Sequence, residues 1–224
     1  MAEPMTMTEP MGLFGGTFDP IHYGHLRTAF ELLQALKLAQ VRFLPTGDPP
    51  HRVDPLAPSE LRLEMVRAAV AGQPGFGVDD REIRRSGVSY SIDTLTELRR
   101  EYPQRSLCLM LGMDAFLGMP TWHRWREIFE LCHVVVAHRP GWKAPIMGPL
   151  GEVMVDRGTG SVRDLHSSSA GRIYVRAVTQ LEIASTDLRA LIMSGQDLRY
   201  LVPEPVRDII ARSGCYAARN RQGG

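Results

Sequence analysis

The chain is poor in the residues that several classes of protein need. Only three of its 224 residues are cysteine, Cys108, Cys132 and Cys215. Their wide spacing excludes a disulfide framework and a paired-cysteine zinc knuckle. Lysine is scarcer still: Lys37 and Lys143 are the only two, and neither follows a glycine, so there is no Walker phosphate loop. The GxGxxG dinucleotide fingerprint is absent as well. No sign of charge dominates, since Lys+Arg is 26 against Asp+Glu 25, a net charge of +1. That excludes the broad basic surface of a protein that coats nucleic acid. No apolar run approaches the roughly 20 residues that span a bilayer, and no basic residue precedes Arg27, so neither a signal-peptide n-region nor an Arg-rich transit peptide is read. These absences predict a soluble, cytoplasmic protein with no membrane or nucleic-acid partner; a monomer or weak homo-oligomer is expected, although nothing in the composition sets the oligomeric state.

What is present is a rhythm of short apolar runs and amphipathic stretches. The composition, 44% hydrophobic and 23% charged, is that of an ordinary globular domain. Strands are predicted over 12–14, 41–44, 76–78, 82–84, 107–111, 133–137 and 173–175. Between them, helices are predicted from Leu26 to Leu36, from an N-cap at Ser59, from about Ser91, over 122–131, over 185–193 and over 205–214. The continuous apolar runs at 107–111 and 133–137 suit strands covered on both faces. Alternating strands and helices imply a doubly wound, Rossmann-like α/β fold: a mostly parallel sheet with helices on both faces and a small C-terminal helical part. Residues 1–10 and 217–224 read as tails around a single domain over 11–216. The Gly-, Ser- and Pro-rich stretch 144–170 reads as an insertion or loop within it. Such sheets bind ligands at the carboxyl ends of their strands, so the loops there are where chemistry is expected.

The loop after the first strand runs Gly15-Gly16-Thr17-Phe18-Asp19-Pro20-Ile21-His22-Tyr23-Gly24-His25. Its glycines let backbone approach a ligand closely, and the helix that follows directs free N–H groups to the same place, which together make a phosphate cradle. His22 and His25, three apart, share one face of the opening turn, where two imidazoles suit a phosphoryl group that gathers charge. Gly24 leaves room for something bulky. Surface or core histidines, or a metal pair lacking its third ligand, are the competing readings. Asp19, before Pro20, is assigned to the turn itself.

The stretch 13–25 resembles the signature of the nucleotidyltransferases that share an HxGH motif with class I aminoacyl-tRNA synthetases. That superfamily carries a second motif, ISSTxxR, near its C-terminus. Here Ile183-Ala184-Ser185-Thr186-Asp187-Leu188-Arg189 stands in the matching order, with Ala184 in place of the usual serine. Within the superfamily, Pro49-Pro50-His51-Arg52, Ser89-Tyr90-Ser91, Gly112-Met113-Asp114, Thr121-Trp122-His123 and Arg139-Pro140-Gly141 resemble the bacterial nicotinate-mononucleotide adenylyltransferases. The similarity covers about 11–216 and is vague only across 144–170.

The resemblance implies transfer of the adenylyl group of ATP to nicotinate mononucleotide, with Mg²⁺ brought by the ATP and no dedicated metal site. His22, His25 and Arg189 are then the catalytic set. Gly15, Gly16, Thr17, Phe18, Gly112, Asp114, Arg139, Ile183, Ser185 and Thr186 fall to ATP, and Arg52, Tyr90, Ser91 and Trp122 to the mononucleotide. The residue types fit: Arg189 offers a planar fork for phosphate oxygens, Trp122 a face for a flat ring, and the helix start at Ser91 N–H groups for a carboxylate. Plainer roles stay open at this stage, namely a helix cap for Asp114, a core position for Trp122 and a solvated surface for Arg52. Another HxGH adenylyltransferase, such as one acting on pantetheine phosphate, would lack the Ser-Tyr-Ser and Thr-Trp-His stretches. A silent nucleotide-binding module is expected to have lost His22, His25 or Arg189.

Overall fold

A computed structural model of the chain describes residues 9–47, 55–138 and 147–217. The first half alternates β1 (Met11–Gly16), α1 (Tyr23–Ala35), β2 (Gln40–Pro45), α2 (Ser59–Val70), β3 (Phe76–Val78), α3 (Arg81–Arg84) and α4 (Ser91–Glu101). The second half continues with β4 (Leu107–Gly112), α5 (Met113–Gly118), α6 (Ile128–Leu131), β5 (His133–His138), α7 (Gly148–Arg157), β6 (Gly158–Thr159), α8 (Val162–Ser167), β7 (Ile173–Ala177), α9 (Ser185–Met193) and α10 (Glu204–Ser213). The seven strands form one sheet in the order β3-β2-β1-β4-β5-β7-β6, and every pairing is parallel.

Period-two alternation divides the strand side chains between two apolar layers. From β4 and β5, Cys108, Met110, Val135 and Ala137 enter one layer with Ala29, Leu32, Met65, Leu188 and Ile209 from the helices. Leu107, Leu109, Leu111, Val134 and Val136 enter the other with Ile92, Leu95, Phe116 and Phe129. Coverage on both faces explains why these strands read as unbroken apolar runs. The strand order reverses between β1 and β4, which opens a crevice beyond their carboxyl ends. Among the described residues no helix is long and apolar enough to cross a membrane.

Four local expectations are corrected. Residues 81–84 are helical, not a strand. The Asp79 carboxylate accepts from the Arg81 N–H at 3.2 Å and from two nitrogens of its guanidinium at 2.8 Å each, which turns the chain into α3. Stretch 122–131 is not one helix: Trp122 is extended and Arg124 is left-handed at φ 52°, so only two 3₁₀ turns and α6 form around them. Ser59 is not the N-cap of α2, a place taken by Pro58; its hydroxyl donates to Glu60 instead. The described part of 144–170 is no loop. It supplies α7, β6 and α8, with Leu150, Val153 and Leu165 buried. Gly158 there serves close packing rather than flexibility, because a Cβ would lie 2.4 Å from the Met154 carbonyl oxygen.

Candidate active site

Two cavities meet over the end of β1. The larger, about 950 Å³, is lined by Gly15, Gly16, Thr17, Phe18, His22, His25, Gly112, Asp114, Ile183, Ser185, Thr186 and Arg189. The smaller, about 200 Å³, holds Tyr90, Ser91 and Trp122 with Glu82, Thr94 and His123. Gly15, Gly16 and Thr17 belong to both. The structure therefore gathers the described residues expected to meet ATP into one cleft and those expected to meet the mononucleotide into the other. Arg52 and Arg139 lie outside the described residues.

His22 caps α1 in extended backbone, and its ring stacks on that of His25 with centroids 3.7 Å apart. The space Gly24 leaves is taken by His22 itself, since a Cβ there would lie 2.9 Å from its Nδ1. The His25 ring also meets that of Phe18 in a T-shaped contact, with centroids 5.1 Å apart. The His22 N–H donates to His25 Nδ1 at 3.3 Å, so neutral His25 carries its proton on Nε2. Burial lowers both imidazoles, His22 to about 4 and His25 well below the ordinary histidine range, with the neighbouring His22 adding to the second shift. At neutral pH this is a pair of uncharged rings. The Nδ1 of His22 is buried without a partner, a polar atom that an incoming group could satisfy.

The facing wall is the start of α9. Ser185 donates its hydroxyl proton to the Pro20 carbonyl at 3.0 Å, which docks α9 on the first loop. Its remaining capacity toward an anion is its backbone N–H, free at a helix start. Arg189 donates to the Asp19 carbonyl at 2.7 Å and to the Thr186 hydroxyl at 3.3 Å, and its Nη1 lies 3.6 Å from the Asp19 carboxylate. Asp19 is therefore more than a turn residue. It is 5% exposed and accepts from Leu56 N–H at 3.0 Å, Ala57 N–H at 3.1 Å and Tyr216 O–H at 2.7 Å.

In the smaller cavity Tyr90 caps α4 and Ser91 opens it. The rings of Tyr90 and His123 lie 4.6 Å apart. Glu82 is buried, accepts from Thr94 Oγ1 at 2.8 Å, and has its carboxyl pushed upward by desolvation. Among the described residues no group of three or more His, Cys, Asp and Glu could hold a metal ion.

A cytidylyltransferase-like family profile matches residues 13–191. The chain is 48% identical over 207 residues to a protein of Aeromonas hydrophila described as a probable nicotinate-nucleotide adenylyltransferase, covering 92% of this chain and 97% of the relative. The chain belongs to the nicotinate-nucleotide adenylyltransferase family. A relative from Dechloromonas aromatica with the same description is 47% identical over 214 residues, 94% of this chain and 99% of its own. A solved structure of the Plasmodium falciparum nicotinic acid mononucleotide adenylyltransferase, complexed with NaAD, has the same fold. It superposes with a TM-score of 0.70 at 15% identity, over 93% of this chain and 98% of that one.

Motif reading of this adenylyltransferase site missed Asp19 as a hub, Arg62, Tyr216, Glu82 and Thr94. Arg62 did leave a trace: it sits in the amphipathic pattern of α2, three and four residues before Met65 and Val66, and all three are buried. A cation on an apolar face needs buried acceptors. Glu82 was hidden by the mistaken strand over 82–84.

Proposed function

We infer that this chain transfers the adenylyl group of ATP to nicotinate mononucleotide, forming nicotinate adenine dinucleotide and pyrophosphate. The observation that carries the reading is the shared rim: Gly15, Gly16 and Thr17 line both a large cleft that holds His22, His25 and Arg189 and a small one that holds Tyr90, Trp122 and His123. A donor and an acceptor bound on either side meet there.

The acceptor's 5′-phosphate is a monoester with a second pKa near 6, so it is largely a dianion at neutral pH and needs no general base. One of its oxygens attacks the α-phosphorus of MgATP, and the bond to the β-phosphate oxygen breaks with departure of magnesium pyrophosphate. The magnesium travels as part of the nucleotide. What remains for the protein is alignment and stabilisation of the charge on the α-phosphoryl oxygens. His22 and His25 act at the α-phosphate as neutral N–H donors, and their protonation is favoured as negative charge arrives. Arg189 and the N–H groups opening α9 hold the β- and γ-phosphates, while Asp114, in the first turn of α5, faces the ribose. Trp122 stacks on the pyridine ring, and the N–H groups opening α4 receive its carboxylate. We assign the reaction to the cytoplasm and to a monomer or weak homo-oligomer.

The deciding experiment offers MgATP with nicotinate mononucleotide, nicotinamide mononucleotide or pantetheine phosphate and measures pyrophosphate release. Fastest release with the first is expected. Release only with pantetheine phosphate, or none at all, would overturn the reading.

A further inference from the structure

We propose that Arg62 is a positioning residue for the transfer, fixing the peptide between Thr17 and Phe18 on the rim shared by the two clefts. The inference rests on the adenylyl-transfer reading but concerns a residue outside both clefts.

Arg62 is 1% exposed, an unusual place for a guanidinium. It bonds backbone from three separate segments. Nη1 donates to the Thr17 carbonyl at 2.7 Å, Nη2 to the Gly47 carbonyl at 3.1 Å, and Nε to the Ala57 carbonyl at 3.2 Å. Burial lowers the guanidinium's pKa from the ordinary arginine value, and the Asp19 carboxylate partly offsets this; Asp19 in turn holds the N–H groups of Leu56 and Ala57. The first loop, the segment just after β2 and the approach to α2 are thus locked together.

The shortest of these bonds acts on the site. In a trans peptide the carbonyl and the following N–H point in opposite directions, so holding the Thr17 carbonyl at Arg62 aims the Phe18 N–H away from it. The same peptide leads into Phe18 at φ 50°, a left-handed conformation in which a bulky residue is strained and must be held by its surroundings. The Phe18 ring then sets one side of His25, at 5.1 Å edge to face. A chain of contacts runs from Arg62 through Thr17 and Phe18 to an imidazole of the larger cleft. Lysine keeps the charge but cannot fork to three carbonyls in fixed directions.

The test compares Arg62→Lys with wild type in the full-length chain, well below the melting temperature of each. Met65→Ala is the control, a buried apolar truncation on the same helix without a bond to the rim. We expect Arg62→Lys to lower kcat on the order of 10- to 100-fold, the scale of a misplaced reacting group. KM for MgATP and for nicotinate mononucleotide should change little, because each substrate keeps its distal anchors. Met65→Ala should lower Tm and leave kcat unchanged. A wild-type kcat in Arg62→Lys, a change confined to KM, or an equal fall of kcat in the control would each overturn the proposal. Arg62→Gln is measured in the same way should the lysine variant not fold. If neither folds, the side chain is a folding requirement only and the positioning role is refuted. Inactive wild type with MgATP and nicotinate mononucleotide would instead refute the underlying reading.

Discussion

Tyr216 donates its phenolic proton to Asp19 Oδ1 at 2.7 Å, across 197 positions of sequence. The bond joins the turn after α10 to the loop that carries His22, so two segments far apart in the chain brace one another. Burial and the Asp19 carboxylate both raise the phenol far above the tyrosine range, so it stays a donor at any physiological pH. Tyr216→Phe should remove a hydrogen bond to a charged group and lower stability by about 1.5–3 kcal/mol. Denaturant unfolding measures this; a change below ~0.5 kcal/mol would show that the bond contributes nothing net.

His22→Ala and His25→Ala should each reduce kcat at least a hundredfold while folding normally. Removing one donor aimed at charge that develops in the transition state typically costs about 10²–10³ in rate. Steady-state kinetics on purified variants with native circular dichroism check this, and near-wild-type turnover would remove that histidine from the mechanism.

The paired imidazoles also make a pH prediction. His22 titrates at about 4 in the folded chain against an ordinary 6.5. Between those values the unfolded chain binds a proton that the folded chain refuses. Stability therefore falls as pH drops from 6.5 towards 4, by up to about 1.4 kcal/mol per pH unit for this group, and the loss levels off below that. The difference in unfolding free energy between wild type and His22→Gln isolates the effect. A difference that is flat over this window would contradict the burial reading, as would an NMR pKa for His22 near 6.5. Saturating MgATP should move that pKa upward.

Arg189→Ala should weaken use of ATP far more than use of the mononucleotide, because Arg189 lines the larger cleft and not the smaller. Separate KM values report this. A comparable rise in both would place the residue at the loop, through its bond to the Asp19 carbonyl, rather than at the triphosphate.

Acceptor choice should favour acid over amide. N–H groups at the start of α4 make charge-assisted bonds to a carboxylate, roughly twice as strong as neutral ones. An amide would turn one NH₂ on like donors and leave a mismatch of about 1–3 kcal/mol. The expected discrimination in kcat/KM is at least about tenfold and reaches about a thousandfold when both terms act. Trp122→Ala should damage both acceptors alike, since stacking does not read the carboxylate, whereas Ser91→Pro, which deletes one N–H, should hurt the acid selectively. Equal efficiency of wild type on acid and amide would refute the helix-start arrangement.

Much of this molecule was legible in its local patterns. The apolar runs at 107–111 and 133–137 announced buried parallel strands, because both faces of such strands need apolar side chains. The loop from Gly15 to His25 and the segment from Ile183 to Arg189 carried their chemistry in contiguous residue types. The misreadings were local conflicts. The stretch over 81–84 became helical through an ion pair with Asp79, and the Gly- and Ser-rich residues near 158–170 hid elements whose glycine answers a packing contact.

By itself, then, the sequence determined the alternation of elements, the two motifs that line the larger cleft and the family, because each is written in neighbouring residues and their periodicity. Only the tertiary structure decided that Gly15 to Thr17 stand between two clefts, that Asp19 receives Tyr216, and that Arg62 holds the rim. Those outcomes depend on backbone carbonyls and N–H groups brought together from distant segments. Every residue carries such groups, so nothing in residue identity marks which of them will be bonded.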